Sequence, residues 1–157
     1  MTDEHRHIES VLRVYSDVFA VEGGIAAVKG LADAQLDQVA AALYAALDDV
    51  VHALEASRDE DSFLKAVVAY HLIAEGSIGR ANQNFAAAQF DRVGSFPGLR
   101  EAQRLAVRDE VRHIGIGVSY ARRRLTRDGA RAGALIEEIV NGFSRVGRDS
   151  PRRVIHS

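Results

Sequence analysis

The chain contains no cysteine, no tryptophan and only two prolines, Pro97 and Pro151. Without cysteine there is no disulfide framework, no thiolate nucleophile and no iron–sulfur ligand set, so any metal must be held by Glu, Asp and His. Lysine is almost as scarce: of the 20 basic residues only Lys29 and Lys65 are lysine, and the formal net charge is −2. That balance draws the chain neither to nucleic acid nor to an anionic membrane surface. No apolar run approaches the roughly 18 residues of a membrane span, and the acidic start Met1-Thr2-Asp3-Glu4 lacks the basic stretch of a signal peptide. These absences predict a cytoplasmic protein with no nucleic-acid partner and no membrane span. A chain of 157 residues buries about 68–70% of its unfolded surface, enough for one domain with its own core.

Strand-type alternation is missing too, and glycine and serine clusters separate stretches of helical period, so the expected fold class is all-α. A first helix is expected from about Thr2 to Val21, with Glu4, His7, Ile8, Val11, Tyr15, Val18 and Phe19 on one stripe and a stop at Gly23-Gly24. A connection through Gly30 leads to a second helix from about Asp33 to Ser57, a packing element whose His52 reads as a surface or partly buried histidine. A third is expected from about Ser62 to Arg92. Its apolar stripe Leu64, Val68, Leu72, Ile78 contains Glu75, and a lone buried carboxylate costs several kcal/mol unless it is paired or metal-bound. The turn Gly94-Ser95-Phe96-Pro97-Gly98 opens a fourth helix from about Pro97 to Arg127, which stops near Asp128-Gly129. A last helix covers about Ala130 to Val146, with Glu137 and Glu138 on a solvated edge. Residues 1–147 then form the single domain and 148–157 a loose tail.

One stretch repeats. Asp3-Glu4-His5-Arg6-His7-Ile8 returns as Asp109-Glu110-Val111-Arg112-His113-Ile114, five of six letters unchanged. Each copy places a Glu three residues before a His, on one helix face. Two Glu-x-x-His helices plus single Glu residues from further helices are how helical bundles hold two iron or manganese ions. Glu4, His7, Glu75, Glu110 and His113 are therefore the candidate metal ligands, and their carboxylate and imidazole donors suit iron or manganese. A ligating His normally gives its other N–H to a carboxylate, so Asp3 is expected to serve His113 and Asp109 to serve His7.

These residues resemble the ferritin-like small subunits of ribonucleotide reductase, and most of all the ribonucleotide-reductase-like ligand-binding oxidases. Tyr70-His71-Leu72-Ile73-Ala74-Glu75-Gly76 is similar to the family helix that brings a lone metal Glu. Phe96-Pro97-Gly98-Leu99 with Asp109 through Gly117 is similar to the next one, and Glu4 and His7 match the first Glu-x-x-His. The resemblance implies a ferritin-like bundle, a dinuclear manganese/iron or di-iron centre that activates O₂, a homodimer, and a long-chain fatty acid or similar apolar ligand, with room left by Gly76 and Gly79. Tyr70 matches the tyrosine that the oxidase branch cross-links to a valine. It is the expected catalytic, redox-active neighbour, against the plainer reading of a core tyrosine with a satisfied hydroxyl. His71, one turn before Glu75, is not made a ligand by its family position.

The family's first metal carboxylate and the valine partner of Tyr70 lie on a helix upstream of the first Glu-x-x-His, whereas three residues precede Glu4 here. The expectation is a bundle incomplete at its N-terminus, one ligand short. Two alternatives stand beside the oxidase: the radical-generating small subunit of a reductase, and a truncated non-catalytic helical remnant that pairs with itself or another chain.

Overall fold

The computed structural model describes residues 2–94 and 96–149. All of its elements are helical: α1 Asp3–Asp17, α2 Gly24–Gln35, α3 Gln38–Ser57, α4 Glu60–Val67, a π-helix Val68–Gly79, α5 Arg80–Val93 and α6 Pro97–Asp149. The protein is all-α, and no described helix is long and apolar enough to cross a membrane.

Local chemistry explains where the helices begin and end. Asp37 caps α3 by accepting from the Ala40 N–H at 2.7 Å, and Asp59 caps α4 by accepting from the Ser62 N–H and hydroxyl at 2.8 and 2.9 Å. Each cap satisfies backbone donors that a first turn leaves without partners. Arg58 (φ 51°) and Gly94 (φ 65°) end α3 and α5 in the left-handed region. In α6 the backbone leaves helical geometry at Asp128 and Gly129, where Gly129 has φ 22° and ψ −98°. The kink lies where the sequence places a break.

Several boundaries differ from the sequence reading. The first helix ends at Asp17, with Ala20 (φ 52°) already left-handed before Gly23 and Gly24. Residues 24–35, expected as mostly connection, form α2, and the expected start at Asp33 gives way to the Asp37 cap. The expected 62–92 helix changes hydrogen-bond register across residues 68–79, so the stripe drawn at α-helical spacing through Glu75 does not carry through. The expected tail from residue 148 begins inside α6, and its residues 150–157 lie outside the described residues.

The chain divides into two compact units: Met1–Gln35 with Glu75–Ile114, and Leu36–Ala74 with Gly115–Ser157. The second holds the hydrophobic core, in which Leu47, Leu64, Val68, Ala121, Ile139 and Phe143 come together from α3, α4, the π-helix and both sides of the α6 kink. Leu64 and Val68 are its largest fully buried side chains. Arg124, 4% exposed, donates to the Glu60 carbonyl, Asp61 and Asp128, tying the start of α4 to the kink. Gly117 belongs here as well, because a Cβ at that position would lie 2.6 Å from the His71 Cβ.

The first unit is built the other way round. Among its described residues the buried ones are polar, Gln83 and Asp109. The α1 stripe expected to face a core is instead open, with Ile8, Val11, Val18 and Phe19 all exposed. A helix that buries none of its side chains gains little from hydrophobic transfer, so polar contacts decide where α1 sits within this unit.

Candidate metal centre

All five candidate ligands and both candidate supporting acids belong to the first unit. Glu4 and His7 come from the first two turns of α1, Glu75 from the π-helix, and Glu110 and His113 from α6. Ligand atoms of Glu4, Glu75 and His113 lie within 4.8 Å of one another. His7 joins them through Glu4. One Glu4 oxygen, Oε2, is 3.3 Å from His7 Nδ1, and the other, Oε1, is 3.3 Å from His113 Nδ1. Glu75 Oε1 stands 3.6 Å from that same His113 nitrogen.

The two rings use their nitrogens alike. His7 Nε2 lies 3.3 Å from Asp109 Oδ2 and His113 Nε2 lies 3.4 Å from Asp3 Oδ2. Each ring thus faces an aspartate at Nε2 and a glutamate at Nδ1, and an ionised carboxylate only accepts, so whichever nitrogen carries the hydrogen has an acceptor opposite it. Imidazole nitrogens and carboxylate oxygens that converge at 3.3–3.6 Å are a set of ligand atoms that could hold a cation. Glu75, expected in mid-core, is only partly buried, its side chain 21% exposed.

Glu110 has its own signature. Its Oε2 atom is buried with no hydrogen-bond partner. Its pKa is raised, first by burial and then by the negative charges of Glu75 and Glu4, while a hydrogen bond from Gln83 and the proximity of His7 act in the opposite sense. A buried acceptor without a donor costs about 1–3 kcal/mol, which makes Glu110 the residue of the set that most lacks a counter-charge.

Asp109 is the reverse case. Only 3% exposed, it is pushed upward by burial, yet hydrogen bonds from Arg6, Arg112 and His7 outweigh this and hold its pKa down at about 2. Asp3 is lowered chiefly by its hydrogen bond from Arg112, against burial, with Arg6 adding to the effect. The sequence reading did not assign a role to Arg6, Arg112 or Gln83. Both arginines were visible as repeated letters; Gln83 carried no signal, because the π register separates it from Glu75 by a phase that α-helical spacing does not give.

Tyr70 is placed in the second unit, where it packs against the hydrophobic core, and its pKa is raised by burial and then by the Asp48 charge. His52 is exposed, and so are Glu137 and Glu138, the latter paired with Lys65 at 2.7 Å. An apolar groove of about 300 Å³ runs along α1 and α2, lined by Ile8, Val11, Leu12, Ile25 and Val28 with His7 at its edge. Family models, curated proteins and solved structures were all compared with this chain, and none matches.

Proposed function

We propose that the first unit is a dinuclear carboxylate–histidine metal centre and that the protein is a metal-dependent oxidase of the ribonucleotide-reductase small-subunit-like class. Glu4, His7, Glu75, Glu110 and His113 would hold the metals, manganese with iron or two irons. The observation that carries this reading is Glu4, whose two oxygens each face the Nδ1 of a different histidine at 3.3 Å. A carboxylate that addresses two imidazoles at once supports a site shared by both Glu-x-x-His pairs. The orphaned Glu110 Oε2 supports the same reading, because a cation would supply what no donor in the protein does.

Iron or manganese bound there would supply redox chemistry toward O₂. The chain's own part is to present the donors, set an aspartate behind each histidine, and hold a net negative cluster that attracts cations. The groove beside His7 supports an apolar organic ligand near the centre, since its lining offers almost no polar atoms to compete for one.

The test is metal analysis of the purified full chain after addition of Mn(II) and Fe(II). The expected outcome is retention of close to two metal equivalents per chain, lost in Glu4→Gln and Glu110→Gln. Wild-type protein that retains none would overturn the reading.

A further inference from the structure

Between α5 and the first three turns of α6, inside the first unit, lies a cleft of about 580 Å³ whose lining shares no residue with the candidate ligands or with the α1–α2 groove. Its walls are apolar, with Ala87 and Phe90 from α5 and Pro97 and Val107 from α6. Its exposed rim carries two arginines and two acids whose charges are already matched. Arg100 pairs with Asp91 at 2.5 Å, and Arg104 donates to Glu101 at 2.6 and 2.8 Å. The floor is Gln83, only 8% exposed. Gln83 is also the link to the metal centre, because its side chain hydrogen-bonds Glu110. Glu110 Oε2 has no partner, so the bond is made through the other oxygen. A carboxamide offers two donor hydrogens and an acceptor oxygen. Glu110 takes up one of these and leaves the rest for an occupant of the cleft.

We propose that this cleft binds a small uncharged molecule with an apolar body and a hydroxyl group, a phenol or short-chain alcohol, as the substrate class of the oxidase. That it is a substrate rests on the metal-centre reading; that it binds does not. Each part of the lining selects for this chemistry. An ion entering the cleft loses hydration against the apolar walls and finds no unmatched charge to replace it. A pure hydrocarbon fills the same space but leaves the buried Gln83 groups without a partner. A hydroxyl both donates and accepts, so it fits a carboxamide in either orientation. The volume is that of a small-molecule site, apolar with a few placed polar groups. The α1–α2 groove differs in kind, since its lining has almost no polar atoms with which to recognise a hydroxyl.

The probes are para-ethylphenol, ethylbenzene and para-ethylbenzoate, titrated at pH 7 into metal-free full-length protein and followed by proton–nitrogen correlation NMR. Para-ethylphenol is expected to shift the Gln83 side-chain amide and the backbone amides of Ala87 and Val107. It should bind about 3- to 10-fold more tightly than ethylbenzene, the range one net hydrogen bond gives, whereas hydrophobicity alone puts ethylbenzene first. Para-ethylbenzoate should bind more weakly than para-ethylphenol. Ala87→Trp, at an exposed position, should block the cleft to all three, and Gln83→Leu should erase the advantage of the phenol. If Gln83→Leu does not fold, the order of the three probes on wild type decides. With Mn(II) bound, the ring protons of para-ethylphenol should relax faster than on metal-free protein, and Ala87→Trp should remove that effect. Ethylbenzene binding as tightly as the phenol, or shifts confined to α1 and α2, overturns the proposal. A chain that binds Mn(II) but not para-ethylphenol sinks the cleft alone and leaves the metal-centre reading standing. Para-ethylphenol held in the cleft of a chain that binds no Mn(II) keeps the binding site and removes its role as a substrate site.

Discussion

Glu110 and Asp109 are neighbours in sequence with opposite electrostatic fates, and each leads to a prediction. Asp109's folded pKa lies near 2, below its ordinary 3.8, so its contribution to stability is present above the unfolded value and is lost as pH falls toward 2. Thermal melts between pH 6 and pH 2.5 should show wild type losing stability through that window, while Asp109→Asn, already less stable at pH 6, loses less. For Glu110 the sign reverses. Its pKa is raised above 4.5, so its ionised form destabilises the metal-free fold once the pH exceeds the unfolded value. Glu110→Gln should raise the melting temperature of metal-free protein at pH 7 by about 2–4 °C, the shift that roughly 1 kcal/mol gives at this size. With Mn(II) added the order should invert, because wild type gains binding energy that the variant lacks.

At the scale of elements, helix starts depend on single side chains. Asp37→Ala removes the acceptor that separates α3 from α2 and should cost about 1 kcal/mol in urea unfolding. Gly117 tests packing instead. Alanine there places a methyl against the His71 Cβ at 2.6 Å, and since neither atom lies at the end of a flexible side chain, the π-helix or α6 must yield. The expected loss is about 1–3 kcal/mol, read from the same urea curves. The π-helix itself escaped the sequence reading for a physical reason. Its residues Val68–Gly79 have the same apolar character as an α-helical stretch, and period-based reading assumes one register throughout.

At the scale of the molecule, each unit is held together internally by different means. Leu64, fully buried in the second unit's core, should cost about 2–5 kcal/mol when cut to alanine. The first unit's buried side chains, among the described residues, are polar and its α1 stripe is exposed, so its order rests on the ion pairs of Asp3 and Asp109 with Arg6 and Arg112 and on whatever satisfies Glu110. Amide hydrogen exchange should therefore be faster in α1 and α5 than in α3 and α4 of metal-free protein, and Mn(II) should slow it in α1 and α5 selectively. Uniform protection across all four helices without metal would contradict this division.

Much of the candidate site was legible in the linear chain. The repeated Asp-Glu-x-Arg-His-Ile marked its residues, and i,i+3 geometry put each Glu and His on one helix face. The pairings of Asp3 with His113 and Asp109 with His7 also followed from chemistry, and those side chains stand 3.4 and 3.3 Å apart. The all-α class followed from the helical period and from the absence of strand alternation. What no local pattern carried was any quantity set by distance across elements. Which nitrogen of each ring faces which acid, the reach of Arg6 to Asp109 and of Arg112 to Asp3, the isolation of Glu110 Oε2, and the grouping of hydrophobic burial in one unit all depend on residues up to about a hundred positions apart meeting in space. Spacing along a helix determines which side chains share a face. Only the fold decides what that face meets.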